Sequence, residues 1–276
     1  MKYKKRRVFI VGGLGFLGKE TAKLLKKYNY EVIIADLPSR KKNILDENKF
    51  VSLDLRNIDS IKNLDILQQD IIVNLASRQY QNKVSYFERQ KWFDEVNFNG
   101  AIHLLEKAIN CGASGYIFFS SDMVYGLQEN LPIKENYNLK PLAEYGKSKE
   151  KAEKELNKLA NCKIPLTIFR PRLISGPGRL GVFEKLFSFI KYSLPVPIIG
   201  NGSNYYQMIS VYDCAKAILL SIEKDFPNEI FNLGSDKLIM VKDLIKELIN
   251  YSNSKSKIIF CKSNIINPFL YMFDFI

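Results

Sequence analysis

The sequence predicts an α/β protein, a doubly wound parallel sheet followed by a smaller C-terminal subdomain, and three observations predict it. Short apolar runs rich in β-branched and aromatic residues recur at 8–11, 30–35, 50–53, 71–76, 116–121 and 166–170, as strands buried on both faces of a parallel sheet require. Helix-like stretches separate most of them, and the first passes straight into glycines at 12, 15 and 18. From residue 175 to 206 this alternation stops, and Gly176, Pro177, Gly178, Gly181, Pro195, Pro197, Gly200 and Gly202 punctuate the chain. That segment is expected to be an insertion folded over the ligand edge of the sheet.

The stretch Val8-Phe9-Ile10-Val11-Gly12-Gly13-Leu14-Gly15-Phe16-Leu17-Gly18 reads as strand, phosphate loop and helix start. Gly12 permits the tight turn, Gly15 lets the backbone approach a pyrophosphate, and Gly18 lets the helix at 19–28 pack closely on the strand. The next strand ends in Asp36, at the distance expected of a carboxylate that accepts both hydroxyls of an adenosine ribose. A dinucleotide site of the Rossmann type follows, and Asp36 favours NAD over NADP because a carboxylate repels a 2′-phosphate. Arg40 and Lys41 close behind it argue the other way.

Residues 37–49 read as a loop or short helix before the third strand, which leads into Asp54. Asp54 has two readings, an acceptor for the adenine amino group or the N-cap of a helix at 58–67. Ala76 and Ser77 fall at the C-terminal end of the fourth strand, where doubly wound sheets bind ligands, and their small size leaves room for the nicotinamide-side ribose. A helix at 92–110 carries apolar residues at 93, 96, 101, 104, 105 and 108, and His103 within it reads as packing or surface. The fifth strand ends in the hydroxyls of Ser120 and Ser121, and Pro141 precedes an amphipathic helix at 144–159. Later elements are a helix at 182–192, a helix from 210–213 to 223, a strand at 230–234 and a helix at 241–251.

Tyr145 and Lys149 stand one helical turn apart on the same face. A free phenol with a pKa near ~10 is a poor base at neutral pH, and an adjacent cation stabilises its phenolate. Tyr145 is therefore the candidate group that takes the proton of a secondary alcohol as the carbon gives hydride to the cofactor. Lys149 holds the ribose and lowers the Tyr145 pKa, and Ser121 positions the oxygen. Reversed, the same groups reduce a ketone.

The whole-chain totals restrict the alternatives. With 46% apolar and 25% charged residues over 276 positions, the chain is long and apolar enough for a substantial core. Its net charge of +12 is spread along the chain apart from 2–7 and 147–158, so no nucleic-acid partner is expected. Cys111, Cys162, Cys214 and Cys261 lack ligand spacing and read as reduced core residues; with a single histidine no metal site is expected. No run approaches the ~20 apolar residues of a membrane span, and the basic start leads into a strand, which points to the cytoplasm.

Taken together, residues 7 to about 234 resemble the extended short-chain dehydrogenase/reductase family, in its NAD-dependent nucleotide-sugar epimerase/dehydratase branch. The resemblance rests on the glycine motif, Asp36, Asp54-Leu55, Asn74-Leu75-Ala76-Ser77, Asn97-Phe98-Asn99-Gly100, Ser120-Ser121-Asp122-Met123-Val124-Tyr125-Gly126, Tyr145 with Lys149, Arg170-Pro171, Gly176-Pro177-Gly178 and Val211-Tyr212-Asp213. It implies NAD bound by Gly12, Gly15, Phe16, Leu17, Gly18, Asp36, Asp54, Leu55, Leu75, Ala76, Ser77, Asn97, Tyr145 and Lys149. It further implies a nucleotide-sugar substrate near Asp122 and Met123, and a homodimer built from the helices at 92–110 and 144–159. The domains expected are 1–174 with 208–234 for the cofactor and 175–207 with 235–276 for the substrate.

Departures from the family pattern refine this. Met123 stands where dehydratases carry a second acid, which disfavours dehydration. Leu173 and Tyr206 replace the Asn and Arg with which many epimerases clamp the substrate phosphate. Arg172 and Arg179 are candidates for the clamp, surface charge being their other reading. The C-terminus is short for the family, and its apolar run at 265–276 is expected to pack on this subunit or a second one. The reading is an NAD-dependent nucleotide-sugar epimerase resembling UDP-glucose 4-epimerase. A keto-sugar reductase or alcohol dehydrogenase is the alternative, and a cofactor-binding protein without turnover a third.

Overall fold

The computed structural model describes residues 6–43, 49–79, 84–128, 130–179 and 183–262. The chain divides into two compact units, Met1–Ile174 with Ser210–Leu233, and Ser175–Ile209 with Gly234–Ile276.

The first unit carries β1 (Arg7–Val11), α1 (Phe16–Lys27), β2 (Glu31–Asp36), β3 (Lys49–Ser52), α2 (Ile58–Lys62), β4 (Ile71–Asn74), α3 (Arg89–Asp94), α4 (Ala101–Asn110), β5 (Gly115–Phe119), α5 (Glu144–Ala160) and β6 (Leu166–Pro171). The chain crosses between units at β7 (Leu173–Ser175). The second unit holds α6 (Glu184–Lys191), β8 (Val196–Ile199) and β9 (Tyr205–Tyr206). After β10 (Met208–Ser210), α7 (Val211–Glu223) and β11 (Ile230–Leu233) return to the first unit, and β12 (Ile239–Met240), α8 (Val241–Tyr251) and β13 (Ile258–Cys261) complete the second.

Seven strands form one sheet in the order β11-β6-β5-β4-β1-β2-β3, every pair parallel. The order reverses between β1 and β4, the switch point at which doubly wound sheets bind ligands. Side chains alternate across each strand, so Phe9, Val11, Ile33 and Ala35 join Leu104, Leu105, Ala152 and Leu156 in one core beneath α4 and α5. On the other face α1 packs on α7. In the second unit β8 pairs with β13 and β9 with β12, and Ile190, Val196, Ile198 and Ile245 form a separate small core.

Two expected helices and one reading of the cysteines come out differently, each for a visible reason. The helix expected at 58–67 stops at Lys62. Beyond it, Leu64 and Ile66 are buried while Asp65 and Leu67 are exposed, a period-2 pattern that belongs to extended chain. Its N-cap is Asn57, whose side chain accepts from the amides of Asp59 and Ser60, so the capping reading of Asp54 is corrected.

The helix expected at 92–110 begins at Arg89 and contains a π turn from Glu95 to Gly100. The apolar positions 96 and 101 are five apart, a spacing that a π turn accommodates and an α-helix does not. The cysteines are all free thiols. Cys214 is buried, and burial pushes its thiol up to about 12, but Cys162 is exposed and is no core residue. Its φ of +57° places it in a turn after α5.

Among the described residues no helix is long and apolar enough to cross a membrane. Residues 2–5 of the basic start, 44–48 of the loop after Asp36, Gly181 and Val182, and the apolar run at 265–276 lie outside the described residues.

Candidate functional site

The glycine turn is built by backbone contacts that side chains would obstruct. Gly12 has φ +79°, and a Cβ there would lie 2.8 Å from the amide nitrogen of Ala76 at the end of β4. A Cβ on Gly18 would lie 2.6 Å from the Gly12 carbonyl oxygen and from the Gly13 Cα, so α1 rests directly on the turn. Gly18→Ala is expected to push α1 off the turn, cost about 1–3 kcal/mol and weaken NAD binding with it. Chemical denaturation and calorimetric titration check both effects.

Gly15 caps α1 without a side-chain hydrogen bond, and no carboxylate sits in the first turn. The positive end of this twelve-residue helix therefore suits an external phosphate. Asp36 is buried at the end of β2. Its Oδ2 accepts from the Leu14 amide at 2.9 Å and its Oδ1 from the Leu37 amide at 2.8 Å, with Arg40 at 3.5 Å. One carboxylate thus holds the glycine loop in shape at the C-terminal end of β2. Cradle, helix end and acid together fit a dinucleotide.

Asp54 lies beyond β3 with its side chain partly exposed. Its carboxylate accepts from Arg56 Nε at 2.9 and 3.0 Å and from the Arg56 amide at 3.0 Å, and these bonds hold it below the usual carboxylate range. Leu55 is buried in the sheet core.

Past β4, Asn74 fixes the chain: its Oδ1 accepts from the Ala76 amide, and its Nδ2 donates to the buried Tyr116 hydroxyl. Leu75, Ala76 and Ser77 follow, half-buried. Asn97, in the π turn, accepts from Ser77 Oγ and the Arg78 amide and donates to the Arg78 carbonyl and Ser148 Oγ. Both of its amide hydrogens and both oxygen lone pairs are engaged within the protein. Asn97 is a positioning residue that ties the loop after β4 to α5, where Ser148 in turn donates to the Tyr145 carbonyl.

The residues expected to carry the chemistry gather at the C-terminal edge of β5. Ser121 is extended and nearly buried. Its Oγ donates to Asp122 Oδ1 at 3.3 Å and accepts from the Met123 amide at 3.2 Å, capping a short turn from Asp122 to Val124. Asp122 is ion-paired with Arg172, and Met123 is exposed.

The N-terminus of α5 lies against that turn. A Cβ on Gly146 would be 2.6 Å from the Met123 carbonyl oxygen, so only glycine lets Tyr145 come this near the Ser121 turn. Phe93 meets the Tyr145 ring edge-on at 5.7 Å. Lys149 is fully buried, its Nζ donating to the Phe119 carbonyl at 2.8 Å and lying 4.7 Å from the Phe118 ring centre. Burial pulls its ammonium down to about 7, with the Glu153 carboxylate opposing.

Ser121, Tyr145 and Lys149 are thus brought to one strand edge, in the unit that carries the glycine turn. Arg179 and Tyr206 belong to the second unit. There Tyr206 pairs with Ile239 across β9 and β12 and meets the Phe183 ring at 5.9 Å. Reading the sequence missed Gly146, although a glycine in the first turn of a helix is itself a sign of close approach. It also missed Glu153, two turns beyond Tyr145, and gave no role to Arg170 of the Arg170-Pro171 motif, to which Glu153 is paired.

A seven-stranded parallel sheet with a glycine turn and a strand-end acid defines a dinucleotide-binding α/β protein. The profile of the NAD dependent epimerase/dehydratase family matches residues 8–234, and the chain belongs to that family of enzymes. A Methanocaldococcus jannaschii protein provisionally named UDP-glucose 4-epimerase is 30% identical over 259 residues, 88% of this chain and 83% of its own length. The dTDP-D-glucose 4,6-dehydratase of Mus musculus is 27% identical over 269 residues, 91% of this chain and 75% of its own. In fold, the UDP-glucose 4-epimerase of Thermus thermophilus in complex with NAD superposes with a TM-score of 0.77 at 22% identity, covering 93% of this chain and 86% of that one.

Proposed function

We propose that the protein is an NAD-dependent nucleotide-sugar epimerase that inverts a ring hydroxyl, resembling UDP-glucose 4-epimerase. The observation that carries the reading is the buried Lys149, held at the edge of β5 one turn from Tyr145. NAD, when bound, accepts hydride from the sugar carbon and returns it. Tyr145, as phenolate, takes the hydroxyl proton and later gives it back. The Lys149 charge stabilises that phenolate, and Ser121 holds the reacting oxygen.

Gly12, Gly15, Phe16, Leu17 and Gly18 receive the phosphates and Asp36 the ribose, so NAD is preferred to NADP. Asp122, Met123 and Arg172 of the first unit meet the nucleotide sugar. Arg172 shares its guanidinium between Asp122 and a substrate phosphate. The first unit is the cofactor domain and the second supplies substrate contacts. The name of the M. jannaschii relative supports UDP-glucose as the first substrate to try.

An epimerase regenerates its cofactor in each cycle and has no need to release it. The purified protein is therefore expected to liberate near-stoichiometric NAD on denaturation, read by mass spectrometry. An empty site that binds NADPH better than NADH would overturn the reading in favour of a keto-sugar reductase, which Leu173 and Tyr206 at the expected clamp positions favour.

A further inference from the structure

Among the described residues five charged side chains are buried: Asp36, Asp70, Lys149, Glu153 and Arg170. Asp36 holds the glycine turn, and Asp70 pairs with Arg7 at 3.2 Å. The other three stand together, two cations around one carboxylate. Tyr145, Lys149 and Glu153 follow one another at four-residue intervals along one face of α5. Arg170, from β6, places Nε 3.1 Å from both Glu153 oxygens and Nη2 2.6 Å from Oε2. Its Nη1 donates to the Tyr125 hydroxyl at 2.6 Å and the Glu135 carbonyl at 3.0 Å. Tyr125 donates in turn to Asn232 Oδ1 at 2.7 Å. Arg170 is held from every side, and no ion pair joins Lys149 to Glu153 among the described residues.

We infer that the buried Glu153–Arg170 pair is a positioning device that sets the charge on Lys149. The inference rests on the role given to Lys149 in the proposed function. Arg170 takes the hydrogen bonds of the carboxylate in a fork, and Lys149, one turn back, keeps only its field. A guanidinium does not give up its proton in a protein, so the protonation that the pair can bias is that of Lys149.

The other charged groups on elements packed against α5 do not compete. Asp122, Glu95 and Asp94 are paired with Arg172, Arg78 and Lys151. Arg89 and Lys91 of α3 and His103, Glu106 and Lys107 of α4 are not buried. Facing Lys149 from β5 are the neutral Phe119 carbonyl and Phe118 ring.

The test reads the lysine directly, by NMR of the purified protein labelled with carbon-13 at the lysine Cε, Lys149→Arg assigning the signal. Glu153→Gln is expected to lower the Lys149 midpoint by about one pH unit or more, and Arg170→Gln, which frees the carboxylate, to raise it by a similar amount. A purely structural role would move both variants the same way or neither, and either result overturns the inference. A lone buried charge can unfold a single variant, so the double variant Glu153→Gln with Arg170→Gln, which leaves neutral amides, is read beside them. Its midpoint is expected between those of the wild type and Glu153→Gln, and a value at or above the wild type overturns the inference by itself.

In the same proteins the alkaline limb of kcat for UDP-glucose epimerisation is expected to follow the midpoint. Midpoints that move as stated beside a fixed rate profile leave the ion pair as inferred and overturn the role of Lys149 in the proposed function.

Discussion

Tyr145→Phe is expected to lower turnover of the nucleotide sugar by about 10²–10⁴-fold while NAD stays bound. The substitution removes the phenolic oxygen and keeps the ring. The ring keeps its edge-on contact with Phe93, the Tyr145 carbonyl keeps the Ser148 hydroxyl, and Gly146 still lets α5 rest on the Met123 carbonyl. The glycine turn and Asp36 lie on other elements, so NAD is expected to stay bound. What disappears is the phenolic hydroxyl one turn from a buried lysine. Steady-state rates on UDP-glucose, measured beside the NAD released from the same preparation, check both halves. Near-normal turnover in a folded, NAD-loaded variant would sink the proton-transfer role of Tyr145.

The cofactor half of this site was legible because its signals are local. Strand, glycines, helix and acid lie within residues 7–36, and each is dictated by a neighbour a few positions away. The spacing of Tyr145 and Lys149 was legible for the same reason, since helical period alone puts them on one face. Other parts depend on partners far along the chain. Glu153 and Arg170 are seventeen residues apart and meet only when α5 packs beside β6, and nothing in either segment alone announces the pair. Asn97 sat in a recognisable motif, but its four hydrogen bonds come from two other segments, so its work as a brace shows only in the fold. Residues 58–67 misled because Ile58, Ile61 and Leu64 fit a helical period and the switch to extended chain after Lys62 is set by the core that Leu64 and Ile66 enter.

Lys149→Met is expected to make the nucleotide-free protein more stable at neutral pH, and the gain should shrink as the pH rises. In the unfolded chain a lysine holds its proton up to a pKa of about 10.4. In the folded protein burial pulls Lys149 down to about 7. Between these values the unfolded state binds more protons than the native one, so the unfolding free energy of the wild type climbs with pH, by at most about 1.4 kcal/mol per unit for this one group. Below the folded pKa the cost of burying the charge is present in full; above the unfolded pKa it is gone.

Methionine keeps an unbranched stem beside Phe118 and removes the ammonium, forfeiting the bond to the Phe119 carbonyl, worth about 1 kcal/mol. The difference between the two denaturation curves isolates Lys149, because every other titrating group is common to both. Parallel pH dependences would mean that the lysine titrates as in water and that burial does not perturb it. The same variant is expected to lose turnover, since Tyr145 then lacks its neighbouring cation. In the proposed function, a buried charge that weakens the fold near neutral pH is accounted for by what it does to the phenol one turn away, and the Glu153–Arg170 pair is inferred to adjust how often that charge is there.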